Sequence, residues 1–449
     1  MTAEWHIGED LFVRFLRAEA SKQEGRMVVR HLLSRCDQCS EMAHRVTAEA
    51  GLWGGKAGKA GWEQAYEEVV QRAFAFVDQE EQRLALERVR GWALWTSLAP
   101  LASRVRFATV DADPAYHNFG LYQRLLEASR RHLHRDPVEA MDIVGLAILV
   151  AERLDAATIG KERIADLRAA AWAALGNARR VAESFDGARR AFNEAWRILE
   201  EEGTADPLEA AYITSLEASY MKDIGEFETA EAALEEALEA YRKARDPHLQ
   251  GRTLLKMGET IGYVNPERGI AHIEKALALL DLAKEPRLDL CAQHALAGFL
   301  ANSGRPEEAL VVLDRARPLY QQFRDDFSQL RLHWLEGKIA HRLGELAEAE
   351  SIFTQTWKDF RARNLQQEVV LVTIELAQVL VEKGEPARAA ELASQAYAVM
   401  NDWGLHKFAL AAWIVFQDAL DRGRAAGDVF RRIEEYYRRH WVRPGSFEL

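Results

Sequence analysis

Trp334-Leu335-Glu336-Gly337-Lys338-Ile339-Ala340-His341-Arg342-Leu343-Gly344-Glu345-Leu346-Ala347-Glu348-Ala349-Glu350-Ser351-Ile352-Phe353-Thr354-Gln355-Thr356 decides the fold. Counted from Leu330, Gly337 is a small residue at the eighth position of a helical pattern. Gly344 then ends that helix with a residue that tolerates φ > 0. Five residues later Ala349 opens the signature of a second helix, completed by Phe353 and Thr356. The same small–large–small triplet recurs as Ala188/Phe192/Ala195, Ala230/Leu234/Ala237, Gly269/Ile273/Ala276, Ala309/Leu313/Ala316 and, with a small middle residue, Ala389/Ala393/Ala396. The gaps between first members are 42, 39, 40, 40 and 40 residues. A fixed period of this size marks a stacked repeat.

The first helices carry their small residues at Gly176, Ala218, Ala297, Gly337 and Ala377, and turn glycines follow at Gly225, Gly304, Gly344 and Gly384. Small residues at these points let two helices approach closely, and the larger residue is expected to plug the next hairpin. Strand-type alternation is absent, and Ala, Leu, Glu and Arg dominate from Trp62 onward. The expected fold is all-α, an α-solenoid of helical hairpins. Ala140/Val144/Ala147 and Val429/Ile433/Tyr436 extend the array at its two ends, the latter as a cap with an Arg-rich outer face.

This arrangement resembles the tetratricopeptide repeat. Trp172-Ala173-Ala174-Leu175-Gly176 with Phe185, Ala188, Phe192 and Ala195 carries the likeness best. The family period is 34 residues, and the surplus here is expected after the second helix, ahead of Pro207, Pro247 and Pro286. HEAT repeats share the longer period, but their pattern does not place glycine and alanine in this way.

Composition narrows the function classes. A chain of 449 residues exceeds what one globular core organises, so an elongated array or several domains is expected. Net charge −12 argues against a general binder of nucleic acid or anionic membrane. Three cysteines make no disulfide framework, which fits a cytoplasmic protein. The longest apolar run, Ile143 to Ala151, falls far short of the roughly 20 residues a membrane span needs. No phosphate loop, nucleophile elbow or HExxH is present, so no catalytic residue is assigned and the chain is read as a non-enzyme.

Residues 1–50 form a separate module, joined by a glycine-rich linker (51–61) and a helical adaptor (62–110) to the solenoid (111–449). The module contains the one constellation with metal-ligand spacing: His31, Cys36 and Cys39. A Cys-x2-Cys pair places two thiolates on one turn, and zinc wants four N/S ligands. His6 could complete the set, with His44 as its rival. Two inert buried thiols and a redox dithiol are the other readings of the pair. The segment 5–45 resembles the zinc-finger module of bacterial anti-sigma factors. That resemblance puts His6, His31, Cys36 and Cys39 at the ligand positions, with four residues between His31 and Cys36 where the family has three. Seven Lys/Arg against eight Asp/Glu in residues 1–50 is too balanced for phosphate-driven binding. Leu175-Gly176-Asn177-Ala178-Arg179-Arg180 and Trp334 to Ile339 further resemble bacterial proteins that join such a finger to tetratricopeptide arrays, a likeness that implies no activity.

On tetratricopeptide hairpins, positions five, nine and twelve of the first helix face the groove. Here they include Asn177, Arg180, Ser215, Ser219, Lys222, His294, Trp334, Lys338 and His341. Aromatic and charged side chains of this kind could grip an extended peptide or a helix, although Trp334 equally suits the core between repeats. The expectation is therefore a protein-binding adaptor or regulator with zinc as cofactor. Its alternatives are an anti-sigma factor acting on a sigma factor through the module, and a regulatory subunit of a separately encoded effector enzyme.

Overall fold

A computed structural model describes residues 82–442, except 134, 403, 404 and 426. Before residue 82 it describes positions 7–16, 19, 20, 24, 25, 28, 39, 42, 45, 46 and 79. Among the described residues every regular element is a helix, and none is long and apolar enough to cross a membrane. The chain divides into two compact units: Met1–Ala182 with Arg190–Asp206, and Glu183–Arg189 with Pro207–Leu449.

The first unit contains α1 (Glu9–Leu16), α2 (residues 82–98), α3 (Ser103–Ala112), α4 (Phe119–His132), α5 (Pro137–Arg153), α6 (Lys161–Val181) and most of α7 (Phe185–Glu202). Helix α5 is the apolar one, packed between α4 and α6, and it buries Ala140, Val144 and Ala147. Asp166 on α6 is fully buried and accepts bonds from the Thr204 N–H (3.0 Å) and hydroxyl (2.8 Å). Those bonds tie the end of the hairpin down, because a carboxylate taken out of water needs donors.

The second unit contains the hairpins α8/α9 (Pro207–Asp223, Phe227–Lys243), α10/α11 (Pro247–Ile261, Pro266–Leu279), α12/α13 (Arg287–Asn302, Pro306–Gln322), α14/α15 (Asp326–Arg342, Leu346–Ala362), α16/α17 (Gln366–Glu382, Pro386–Asp402) and α18/α19 (Lys407–Asp421, Gly427–His440). Helix starts follow from sequence chemistry. Asp246-Pro247 and Asn265-Pro266 pair a capping side chain with a proline that has no N–H to satisfy, and Asp246 Oδ1 accepts from the Leu249 N–H at 2.9 Å.

The period has a simple origin. From α14 to α17 each helix is 17 residues long and each turn three, so starts fall at 326, 346, 366 and 386. The surplus over the tetratricopeptide unit is therefore shared between both helices rather than confined to the region after the second. Placing Ala297, Gly337 and Ala377 at the eighth position gives starts at 290, 330 and 370. These first helices begin three or four residues earlier because the caps lie further upstream; Asp325 accepts from the Ser328 N–H. Turn glycines adopt the left-handed conformation as expected, with φ 84° at Gly225, 75° at Gly304, 81° at Gly344 and 77° at Gly384.

All members of the six triplets are buried. The large residues plug the first helix of their own hairpin, which corrects the expectation that they reach the next one. A Cβ on Gly337 would stand 2.7 Å from the Phe353 ring, and one on Gly176 3.0 Å from Phe192. Where the plug is aromatic its opposite is glycine; with Leu234 or Leu313 the equivalent residue is Ala218 or Ala297. In these four hairpins the opposite residue shrinks as the plug grows, as close packing requires, whereas Ile273 also faces a glycine, Gly258.

Candidate functional site

In the second unit, first helices of neighbouring hairpins pack their backbones on one another, as α12 does on α14, whereas second helices meet through long side chains, as in the Arg388–Glu350 pair between α17 and α15 (2.7 Å). First helices therefore crowd the inner side of the array. Their inner faces are joined by polar bonds that step from one repeat to the next. Lys256 Nζ reaches the Ser215 carbonyl (2.6 Å) and hydroxyl (3.0 Å). The Trp334 indole N–H donates to the Glu375 carboxylate, which also pairs with Lys338 at 2.6 Å. His341 Nε2 lies 2.7 Å from Glu382, and Lys338 Nζ stands 4.8 Å over the Trp334 ring.

These contacts locate the residues expected to line a groove. Trp334, Lys338 and His341 are brought together on α14, fastened to α16. The Trp334 ring also packs edge-on against Phe360 at 5.4 Å, so the aromatic belongs to core and rim together. His294 on α12 bonds the Tyr320 hydroxyl at 2.6 Å. Burial pushes its imidazole well below the usual value of 6.5, and the charges of Arg331 and Lys338 push the same way. Lys222 sits near the end of α8, 3.6 Å from Asp223. Asn177 and Arg180 bond each other at 3.0 Å on α6, in the first unit. His6, His31, Cys36 and His44 lie outside the described residues. Cys39 is 1% exposed, in a small core with Ile7, Phe12, Val28 and Val46. No group of three His, Cys, Asp or Glu among the described residues is placed to hold a metal. Cys291 packs against the core, and burial pushes its thiol up to about 11, which leaves it a poor nucleophile at neutral pH.

One element of the site was not read from sequence. Helix α19, expected to present an outward Arg-rich face, packs on α16, the first helix of the preceding hairpin. Burial pushes the Glu434 carboxyl up, yet Arg438, Lys338 and Arg342 together outweigh it and hold the group below its ordinary value. Glu368 on α16 is shifted the other way, chiefly by burial and further by Glu183. Arg438 and Arg439 have only 14% and 24% of their side chains exposed. The available signal was the run Tyr436-Tyr437-Arg438-Arg439, a composition unlike a solvated cap.

This combination of hairpins, turn glycines and a polar inner face defines a tetratricopeptide-like α-solenoid. Comparison with solved structures agrees. A Rap protein complexed with competence and sporulation factor superposes with TM-score 0.54 at 15% identity, over 70% of this chain and 86% of that one. Aspartyl phosphate phosphatase F from Bacillus subtilis gives TM-score 0.48 at 13% identity, over 89% and 96%. A signal transduction ATPase with a tetratricopeptide repeat sensor, from Pyrococcus horikoshii, gives 0.44 at 15%, over 96% and 68%. At such identities the first likeness shows the fold alone, and the other two carry no further argument. No protein-family model and no curated protein matches the chain.

Proposed function

We propose that the chain is a cytoplasmic, non-enzymatic adaptor or regulator that holds a segment of a partner protein on the inner face of its second unit. The observation that carries this reading is the inner face itself. It aligns aromatic, cationic and acidic side chains along consecutive first helices, and it already accommodates a helix, α19. Charge-assisted bonds and aromatic anchors of this kind give a polypeptide register and affinity. The Rap protein named above was solved in complex with competence and sporulation factor, so a fold of this kind is compatible with holding a partner.

The N-terminal module is proposed to bind one zinc through His6, His31, Cys36 and Cys39. Metal would contribute much of the folding energy of so small a module. Elemental analysis should find near-stoichiometric zinc that is lost in Cys36→Ser/Cys39→Ser. Full zinc in His6→Ala together with loss in His44→Ala would reassign the fourth ligand.

Division of labour between the parts tests the adaptor reading. A chain of residues 62–449 should retain the main partner, and residues 1–50 alone at most a weaker contact. Tight capture of a sigma factor by 1–50, with none by 62–449, would replace the adaptor by an anti-sigma factor.

A further inference from the structure

Second helices α9, α11, α13, α15 and α17 each pack between their own first helix and that of the following hairpin. Helix α19, the last described helix, instead packs back on α16, across the inner side. Its apolar stripe stays at home: Ile433 and Tyr437 are fully buried, and the Tyr437 hydroxyl donates to the Ala409 carbonyl on α18 at 2.7 Å. Its C-terminal end travels much further. The Arg438 guanidinium lies 4.5 Å over the Tyr263 ring, just beyond α10. Arg439 makes two bonds to Glu228 on α9, at 2.9 and 3.2 Å, and stacks 5.1 Å over Phe227. The Arg439 carbonyl presses on the α8/α9 turn so closely that a Cβ on Gly225 would meet it at 2.0 Å. Residues 211 positions apart thus close the second unit into a ring.

Helix α19 is held by two kinds of contact. Its apolar stripe is fixed to α18 by aromatic packing, Phe430 on Phe416 near its start and Tyr437 on Trp413 near its end. The Arg438 and Arg439 side chains are held by an ion pair whose Glu228 is 65% exposed, and by two cation–π stacks. Such contacts are weak and salt-sensitive. Resting on the inner-face reading above, we propose that the Arg438/Arg439 end of α19 is a latch. The ring opens at Glu228, Phe227 and Tyr263, with α18 and α19 moving together, and opening admits a partner segment to the inner face.

Hydrogen exchange on the full chain tests the latch without any partner, so its outcome is separate from that of the function proposed above. Arg439→Glu and Glu228→Arg should each speed exchange in 225–229, 331–342 and 366–375. An exposed bidentate pair and a surface cation–π stack together correspond to roughly five- to thirty-fold in the opening equilibrium. The double reversal should restore the wild-type pattern. Near 1 M salt, where screening acts within about 3 Å, the wild type should exchange like Glu228→Gln, a mild substitution at an exposed site that keeps unit 2 folded. The latch is refuted if the single variants, Glu228→Gln included, exchange as the wild type does in 331–342 and 366–375, or if the double reversal fails to restore protection.

Discussion

Phe353 shows how much of the fold rests on single side chains. It is fully buried and faces Gly337, whose missing side chain makes the room it occupies. Phe353→Ala leaves a cavity in that space and should cost about 3–5 kcal/mol, read as a lower urea midpoint of the second unit. Gly337→Ala should also destabilise, because the ring would have to shift. His294 predicts a pH dependence. Its folded value is depressed by burial, so the unfolded chain takes up a proton at His294 before the folded chain does. Stability from this group is therefore present above pH 6.5 and is lost as pH falls below it. Between pH 7 and 5 the wild type should lose more stability than His294→Asn, measured as the difference between their unfolding curves. Equal losses would show that His294 is solvated.

At the scale of elements, the turn between paired helices is set by one backbone conformation. A Cβ on Gly344 meets nothing within 4 Å, yet its φ is 81°. The cost of replacing it is thus conformational, about 1–2 kcal/mol for an ordinary residue. Gly344→Asn should cost clearly less than Gly344→Val, and equal midpoints would contradict the left-handed turn. Features of this range were legible in the sequence. Triplets and turn glycines report contacts within one hairpin, where spacing fixes which residues meet. Helix starts were less legible, since Asp325 and Asp326 are both capable caps and only the folded turn selects between them. The pairing of Trp334 and Lys338 with Glu375 spans some forty residues and depends on how one hairpin sits on the next. Spacing within a helix carries no record of that. The zinc ligands lie largely outside the described residues, so that part of the reading stands as proposed.

For the second unit as a whole, the contact between Arg439 and Gly225 accumulates the rotation of every repeat between them, and no local pattern encodes it. Closure makes the number of repeats matter in a way that an open stack would not. Deleting residues 326–365, one full period, should leave a soluble helical protein, since each hairpin rests mainly on its neighbours. The same deletion should release α19 from the α8/α9 turn, seen as faster exchange at 225–229 with nearly unchanged far-ultraviolet dichroism. Loss of helix throughout would show a cooperative globule instead. The central claim, that the inner face of this unit holds a protein partner, is tested most directly by photo-crosslinking in the native host. A photoreactive residue at Ser219 or Lys222, on the first helix α8, should trap one discrete partner. The same residue at the exposed positions Glu236 and Glu391, on second helices, should not. Crosslinks confined to Glu236 and Glu391, or none from the first helices, would contradict the account.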